Sequence, residues 1–325
     1  MKLREFFDRS VEIGRANDPR GEKGVLAYLA KESRTFEALS EEGKTDFDLE
    51  RLTHPYHDCR ILNGPEEAEV TSLCVGIDFE VGELLLADRL RERGVSIDAC
   101  VAHHPEGHAL ANLYRVMDMQ ADILAALGVP INVAEGILDP RQHEVKRRIL
   151  VQNHRRAVDA ARLLEFPFVC LHTVADNCVT TYLQRLFDEK QSETVADVLR
   201  LLRAQPEYAE GKLRGTGLQV LARSAKSETN FARIRAGEVF VDMTGGTGGS
   251  KWMFEKLATN TNVGTFVGMH ISEENLEIAK KNHLNVVIAG HAASDSLGLN
   301  LLFDEILAAE DIKITACSGY ARVER

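Results

Sequence analysis

Seven short, almost continuously apolar runs punctuate this chain: EVTSLCVGI (69–77), SIDACVAHH (96–104), FPFVCLHT (166–173), EVFVDM (238–243), GTFVGMH (264–270), NVVIAG (285–290) and IKITAC (312–317). A strand that is apolar along its whole length must be covered on both faces, so such runs belong inside layers of helix. The intervening stretches supply the helices. GELLLADRLRERG (82–94) is helical with Gly94 as C-cap, and 108–128 is helical up to Gly128. Asp139 and Pro140 read as N-cap and first residue of a long helix to about Leu164. Further helices are expected over about 176–204. The pattern predicts an α/β fold, with a mainly parallel or mixed sheet covered by helices.

Leu3, Phe6, Phe7 and Val11 stand at helical spacing, and a second helix is expected over 22–42. HPYHDCRILNG (54–64) reads as loop, and QPEYAEGKLRGTG as linker. The expected organisation is therefore an N-terminal helical extension over 1–68, an α/β core over 69–190 plus 238–325, and a short insertion or linker over 191–237.

Composition narrows the function classes. The 39 basic and 50 acidic residues give a net charge of −11 with no basic stripe, which argues against nucleic acid as a partner. No apolar stretch approaches the roughly 20 residues of a membrane span. The start, MKLREFFDRS, lacks the apolar core of a signal peptide. Six cysteines without a CxxC pair read as buried free thiols, and the expected location is cytoplasmic.

The histidines carry the chemistry. SIDACVA ends in His103 and His104, FPFVCL ends in His172, and NVVIAG ends in His291. In open parallel sheets, ligands gather at the carboxyl ends of strands. Asp176 and Asp295 each follow a histidine by four residues, on one helical face if a helix starts there. His103, His104, His172, Asp176, His291 and Asp295 make six nitrogen and oxygen ligands with no thiolate. That set suits two divalent transition-metal ions of the Zn, Mn, Fe or Co group, with Asp176 as the expected bridge. His54 and His57 read as turn residues. His143, His154 and His283 read as solvated.

DMTGGTGGSKWMFEKLA (242–258) joins a strand to a helix but matches neither the Walker A spacing nor G-x-G-x-x-G. Its glycines, among them Gly245, Gly246 and Gly248, either present backbone N–H groups to an anion, with Ser250 and Lys251 as contacts, or permit a tight turn against the metal loops. The turn is the preferred reading.

VAHHPEG, LHTVAD, DMTGGTGGS and VIAGHAASDSLG, in that order, resemble the Nif-three-like family, also known as GTP cyclohydrolase I type 2 homologues with a dinuclear metal centre. The resemblance covers about 70–190 and 238–300. It implies an α/β fold, a dimetal site and assembly as a homo-oligomer, often a hexamer. His103 and His104 match the family's His-His-Pro pair, His172 and Asp176 its HTxxD pair, and His291 and Asp295 its late GHxxxE segment. There Asp295 is one methylene shorter than the usual Glu. The implied activity is metal-dependent hydrolysis of a small, nucleotide or phosphorylated substrate, with Glu106 and His108 as candidate proton shuttles. The rival is a non-enzymatic metal-binding scaffold or regulatory interaction protein.

Overall fold

A computed structural model describes residues 1–213, 218–221 and 231–325. Its strands are β1 (Cys59–Asn63), β2 (Ser72–Gly76), β3 (Ala99–Ala102), β4 (Phe168–Leu171), β5 (Gln219–Val220), β6 (Glu238–Asp242), β7 (Val263–Gly268), β8 (Asn285–Ile288) and β9 (Lys313–Cys317). They form two sheets. The first runs β1-β4-β3-β2-β9, and the second β5-β8-β7-β6. Within each, all pairs are parallel except one edge strand, β1 against β4 and β5 against β8.

The helices Thr173–Lys190 and His291–Leu307 lie between the sheets and serve both. Val174, Ala175, Cys178, Leu299, Leu302 and Phe303 pack on the first sheet. Val179, Leu183, Phe187, Ala293 and Leu297 pack on the second. These helices cross closely: a Cβ on Gly298 would stand 2.5 Å from the Ala175 carbonyl oxygen. Only glycine fits there. The crossing brings Asp176, next to Ala175, and Asp295, one turn before Gly298, to the same end of the helix pair.

The outer faces are covered as apolar strands require. The helices Val81–Glu92 and Arg156–Leu163 cover the first sheet, and Ile131–Leu150, Trp252–Asn260 and Glu273–Lys281 the second. The N-terminal helix Leu3–Ala16 inserts Leu3, Phe6 and Phe7, all fully buried, beside the central pair. Each such side chain contributes about 2 kcal/mol of burial free energy.

Several local expectations need correction. The 54–64 stretch is not all loop: it holds β1, whose partner lies more than 100 residues away. His54 and His57, read as turn residues, are buried, and the His57 ring bonds the Tyr28 hydroxyl at 2.8 Å. Asp139 and Pro140 do not start a helix. Pro140 lies inside Ile131–Leu150, and a separate helix follows from Arg156. The proline has no N–H for the Gly136 carbonyl, and neighbouring packing outweighs that loss. QPEYAEGKLRGTG includes the helix Pro206–Leu213, with Tyr208 buried. Of the 191–237 segment, residues 214–217 and 222–230 lie outside the described residues.

Candidate metal centre

His103 and His104 follow β3, His172 caps the helix after β4, and His291 opens the helix after β8. The carboxyl edges of both sheets thus point four imidazoles into one cleft. Asp176 and Asp295 enter from the first turns of the two central helices.

Three sets of these residues have ligand atoms all within 4.8 Å of one another: His103, His104 and His172; His104, His291 and Asp295; and His103, Asp176 and Asp295. His103 Nε2 stands 3.4 Å from Asp176 Oδ1 and 3.5 Å from Asp295 Oδ1. His104 Nε2 lies 3.3 Å from His291 Nε2 and 3.6 Å from Asp295 Oδ2. Two ligands about 2.1 Å from a tetrahedral ion stand about 3.4 Å apart, so these gaps suit a shared cation. Asp295 turns one oxygen to each histidine. Asp176, the expected bridge, meets His103 and, with Oδ2 at 3.6 Å, His172 Nε2, so Asp295 rather than Asp176 reaches both sides of the cleft.

The chemistry of the donors fits a cation as well. His103 Nε2, Asp176 Oδ1 and both carboxylate oxygens of Asp295 are buried without a hydrogen-bond partner. Unpaired buried polar atoms are costly, and four converging ones call for a positive charge.

Each strand-end ring on the first sheet is held through Nδ1. His172 Nδ1 stands 2.7 Å from Asp58 Oδ2, and His104 Nδ1 2.7 Å from Asp78 Oδ1. His103 Nδ1 faces the Leu171 carbonyl at 3.3 Å. Carboxylates and carbonyls only accept, so Nδ1–H donates and the Nε2 lone pair turns to the cleft. Burial pulls the His103 ring toward neutrality, but the Asp295 and Asp176 carboxylates outweigh it and raise its pKa, so a proton holds Nε2 until a cation takes that place. Burial opposes ionisation of Asp295, yet the surrounding histidines hold its carboxyl below the usual range. For His291, burial dominates and lowers the pKa.

A cleft of about 280 Å³ opens over these groups. Its walls include His104, His172, Asp176 and His291, together with Asp242, Gly248 and His270. A larger cavity of about 820 Å³ adjoins it and shares Asp242, Thr247, Gly248 and His270. Gly245 and Gly246, at φ +89° and +86°, make the turn between the two. Gln120 pins that turn, its Nε2 donating to the Gly245 and Thr247 carbonyls at 2.7 Å each. Ser250 and Lys251 line only the larger cavity, where Lys251 pairs with Glu274 at 2.6 Å.

All six sequence-chosen ligand candidates therefore meet. Glu106 and His108 do not join them. Glu106 precedes the helix Gly107–Val116, where burial and Glu80 push its carboxyl up to about 7. His108 is exposed and lines a different cavity, with Asp48 and Arg60. Sequence reasoning missed Asp58, Asp78, Asp242 and His270. Asp242 is the last residue but one of the run EVFVDM and His270 the last of GTFVGMH, which was the signal available for finding them.

An α/β protein with a cleft of histidine and aspartate ligands between the carboxyl edges of two sheets is the class defined here, and it fits metal binding. The fold is similar to that of NIF3 superfamily proteins. It shares 25% identity with the crystal structure of a NIF3 superfamily protein from Sphaerobacter thermophilus, at a TM-score of 0.67 over 81% of this chain and 91% of that one. Reduced HcgD from Methanocaldococcus jannaschii is similar at 13% identity and a TM-score of 0.49, over 78% and 86%. A Bacillus cereus protein related to NIF3 is similar at 10% and 0.41, over 80% and 91%. No protein-family model matches the sequence, and no curated protein does. Among the described residues, no helix is long and apolar enough to cross a membrane.

Proposed function

We propose that this protein is a dinuclear metal-dependent hydrolase acting on a small substrate of the nucleotide or phosphorylated class. The observation that carries the reading is the group of four buried ligand atoms, on His103, Asp176 and Asp295, without partners of their own. In this reading, Asp295 with His103, His172 and Asp176 would hold one divalent ion of the Zn, Mn, Fe or Co group, and Asp295 with His104 and His291 would hold a second. Ions bound there would lower the pKa of a water toward ~7 and polarise a substrate oxygen. The chain's own contribution is orientation: Asp58, Asp78 and the Leu171 carbonyl fix the rings before any ion arrives. The adjoining cavity of about 820 Å³ gives a substrate room beyond the ligands. By the family resemblance, the working form is a cytoplasmic homo-oligomer, a hexamer, with neither nucleic acid nor membrane as partner. Light scattering on the purified protein tests the assembly.

The test of activity loads the protein with Zn or Mn and assays p-nitrophenyl phosphomonoester, phosphodiester and nucleoside triphosphate hydrolysis. Turnover that disappears with a chelator and returns with metal supports the hydrolase. Full metal occupancy with no turnover supports the non-enzymatic scaffold instead.

A further inference from the structure

Asp242 ends β6 at the seam between the small metal cleft and the larger cavity, and lines both. Its registered neighbour on β7 is Gly268, which places no side chain beside it. The Phe266 ring lines the same two spaces. Across the small cleft stand His172, Asp176, His270 and His291, and across the larger one Arg141, Glu144, Arg148, Lys251 and Glu274. Among the described residues, no hydrogen bond or ion pair joins any of these side chains to the Asp242 carboxyl. Arg141 and Arg148 pair with Glu144, and Lys251 with Glu274. Among the described residues, Asp242 is thus a carboxyl without a hydrogen-bond or ion-pair partner, placed where a substrate would pass from cavity to ligands.

We propose that Asp242 is the general acid of this site, giving its proton to the leaving group of the substrate. The proposal rests on the hydrolase reading above. A water oxygen bonds the electrophilic atom of the substrate, and one water O–H bond breaks. The bond from that atom to the leaving group breaks, and its electron pair stays with the leaving group. The Asp242 carboxyl proton goes to the leaving group, and the proton released by water restores Asp242. Water is added across the cleaved bond, any charge of the substrate's phosphate stays on the phosphate product, and no external oxidant or reductant is needed.

Burial alone pushes the Asp242 carboxyl up to about 7. A carboxyl raised toward neutrality keeps its proton more readily than an ordinary one, and a general acid works best with its pKa near the working pH.

The test compares wild type with Asp242→Asn, both loaded with Zn, on aryl phosphodiesters with leaving groups from p-nitrophenol to phenol. A good leaving group departs without a proton and a poor one does not. The expected result is a rate loss of about 100-fold or more for the phenyl ester, little loss for the p-nitrophenyl ester, and unchanged metal content. Equal rates for both proteins across the series would overturn the assignment while leaving the hydrolase intact. A wild type that turns over none of the esters would overturn the hydrolase reading and this proposal with it. Infrared difference titration of the loaded Glu106→Gln protein, which removes the other carboxyl raised to about 7, gives a readout free of turnover. A protonated-carboxyl band with a midpoint near 7 is expected, and its absence contradicts the proposal.

Discussion

Asp58 Oδ2 stands 2.7 Å from His172 Nδ1, across 114 residues of sequence. The same oxygen accepts from Thr173 Oγ1 at 2.7 Å. Burial opposes charge on Asp58, but the His172 and Thr173 bonds hold its carboxyl below the usual range. The N-terminal region thus reaches the metal cleft by one buried carboxylate at the start of β1. Removing a group that orients a ligating histidine commonly costs 10–100-fold in metal affinity. Asp58→Ala is expected to weaken Zn binding by about that factor. It also leaves two buried donors unpaired, which costs about 1–3 kcal/mol. Competition against a fluorescent chelator measures the first effect and urea unfolding the second. Unchanged affinity would deny the link.

Asp295 and Asp176 should not behave alike. Asp295 presents Oδ1 to His103 and Oδ2 to His104 and His291, whereas Asp176 meets only His103 and His172. Asp295→Asn is expected to lose both ions and Asp176→Asn one. Equal losses in the two variants, read by plasma mass spectrometry, would count against Asp295 as the shared ligand.

His57 gives the fold an acid sensitivity unrelated to metal. Burial, reinforced by Arg60 and other nearby cations, lowers its pKa from 6.5 to about 3. Below 6.5 the unfolded chain binds a proton that the folded ring refuses, so stability falls as pH drops. The contribution is complete above 6.5 and shrinks down to about 3. By pH 5.5 the loss is about 1.4 kcal/mol. His57→Gln, which keeps an acceptor for Tyr28, should remove that part of the slope between pH 7 and 5.5. Parallel pH dependence in urea titrations of both proteins would refute this.

The Gly245 turn is predicted to be a packing device. A Cβ there would stand 2.8 Å from Gln120 Cγ, at a φ of +89°. Gly245→Ala should cost about 1–3 kcal/mol from strain and lost packing. Thermal unfolding checks it, and an unchanged Tm would mean the turn tolerates a side chain.

Much of this site was legible because its histidines follow continuous apolar runs. A fully apolar strand ends where it leaves the core, so His103, His104, His172 and His291 mark edges that a sheet can bring together. The two i, i+4 carboxylates, Asp176 and Asp295, were legible for the same local reason. What escaped was non-local. Nothing in HPYHDCRILNG announces that Cys59–Asn63 pairs with β4, or that Asp58 then meets His172. Division into two sheets sharing a helix pair depends on the Gly298–Ala175 crossing, which no periodicity reveals. Pro140 misled because Asp-Pro is good helix-start chemistry, whereas here burial of Ala134, Leu138 and Val145 carries the helix through it.

The central claim is that His103, His104, His172, Asp176, His291 and Asp295 hold a pair of metal ions. Plasma mass spectrometry on protein purified without a His-tag or chelator tests it most directly. The account predicts close to two transition-metal ions per chain, native or after loading with Zn or Mn. A protein that carries none and takes up none would contradict it.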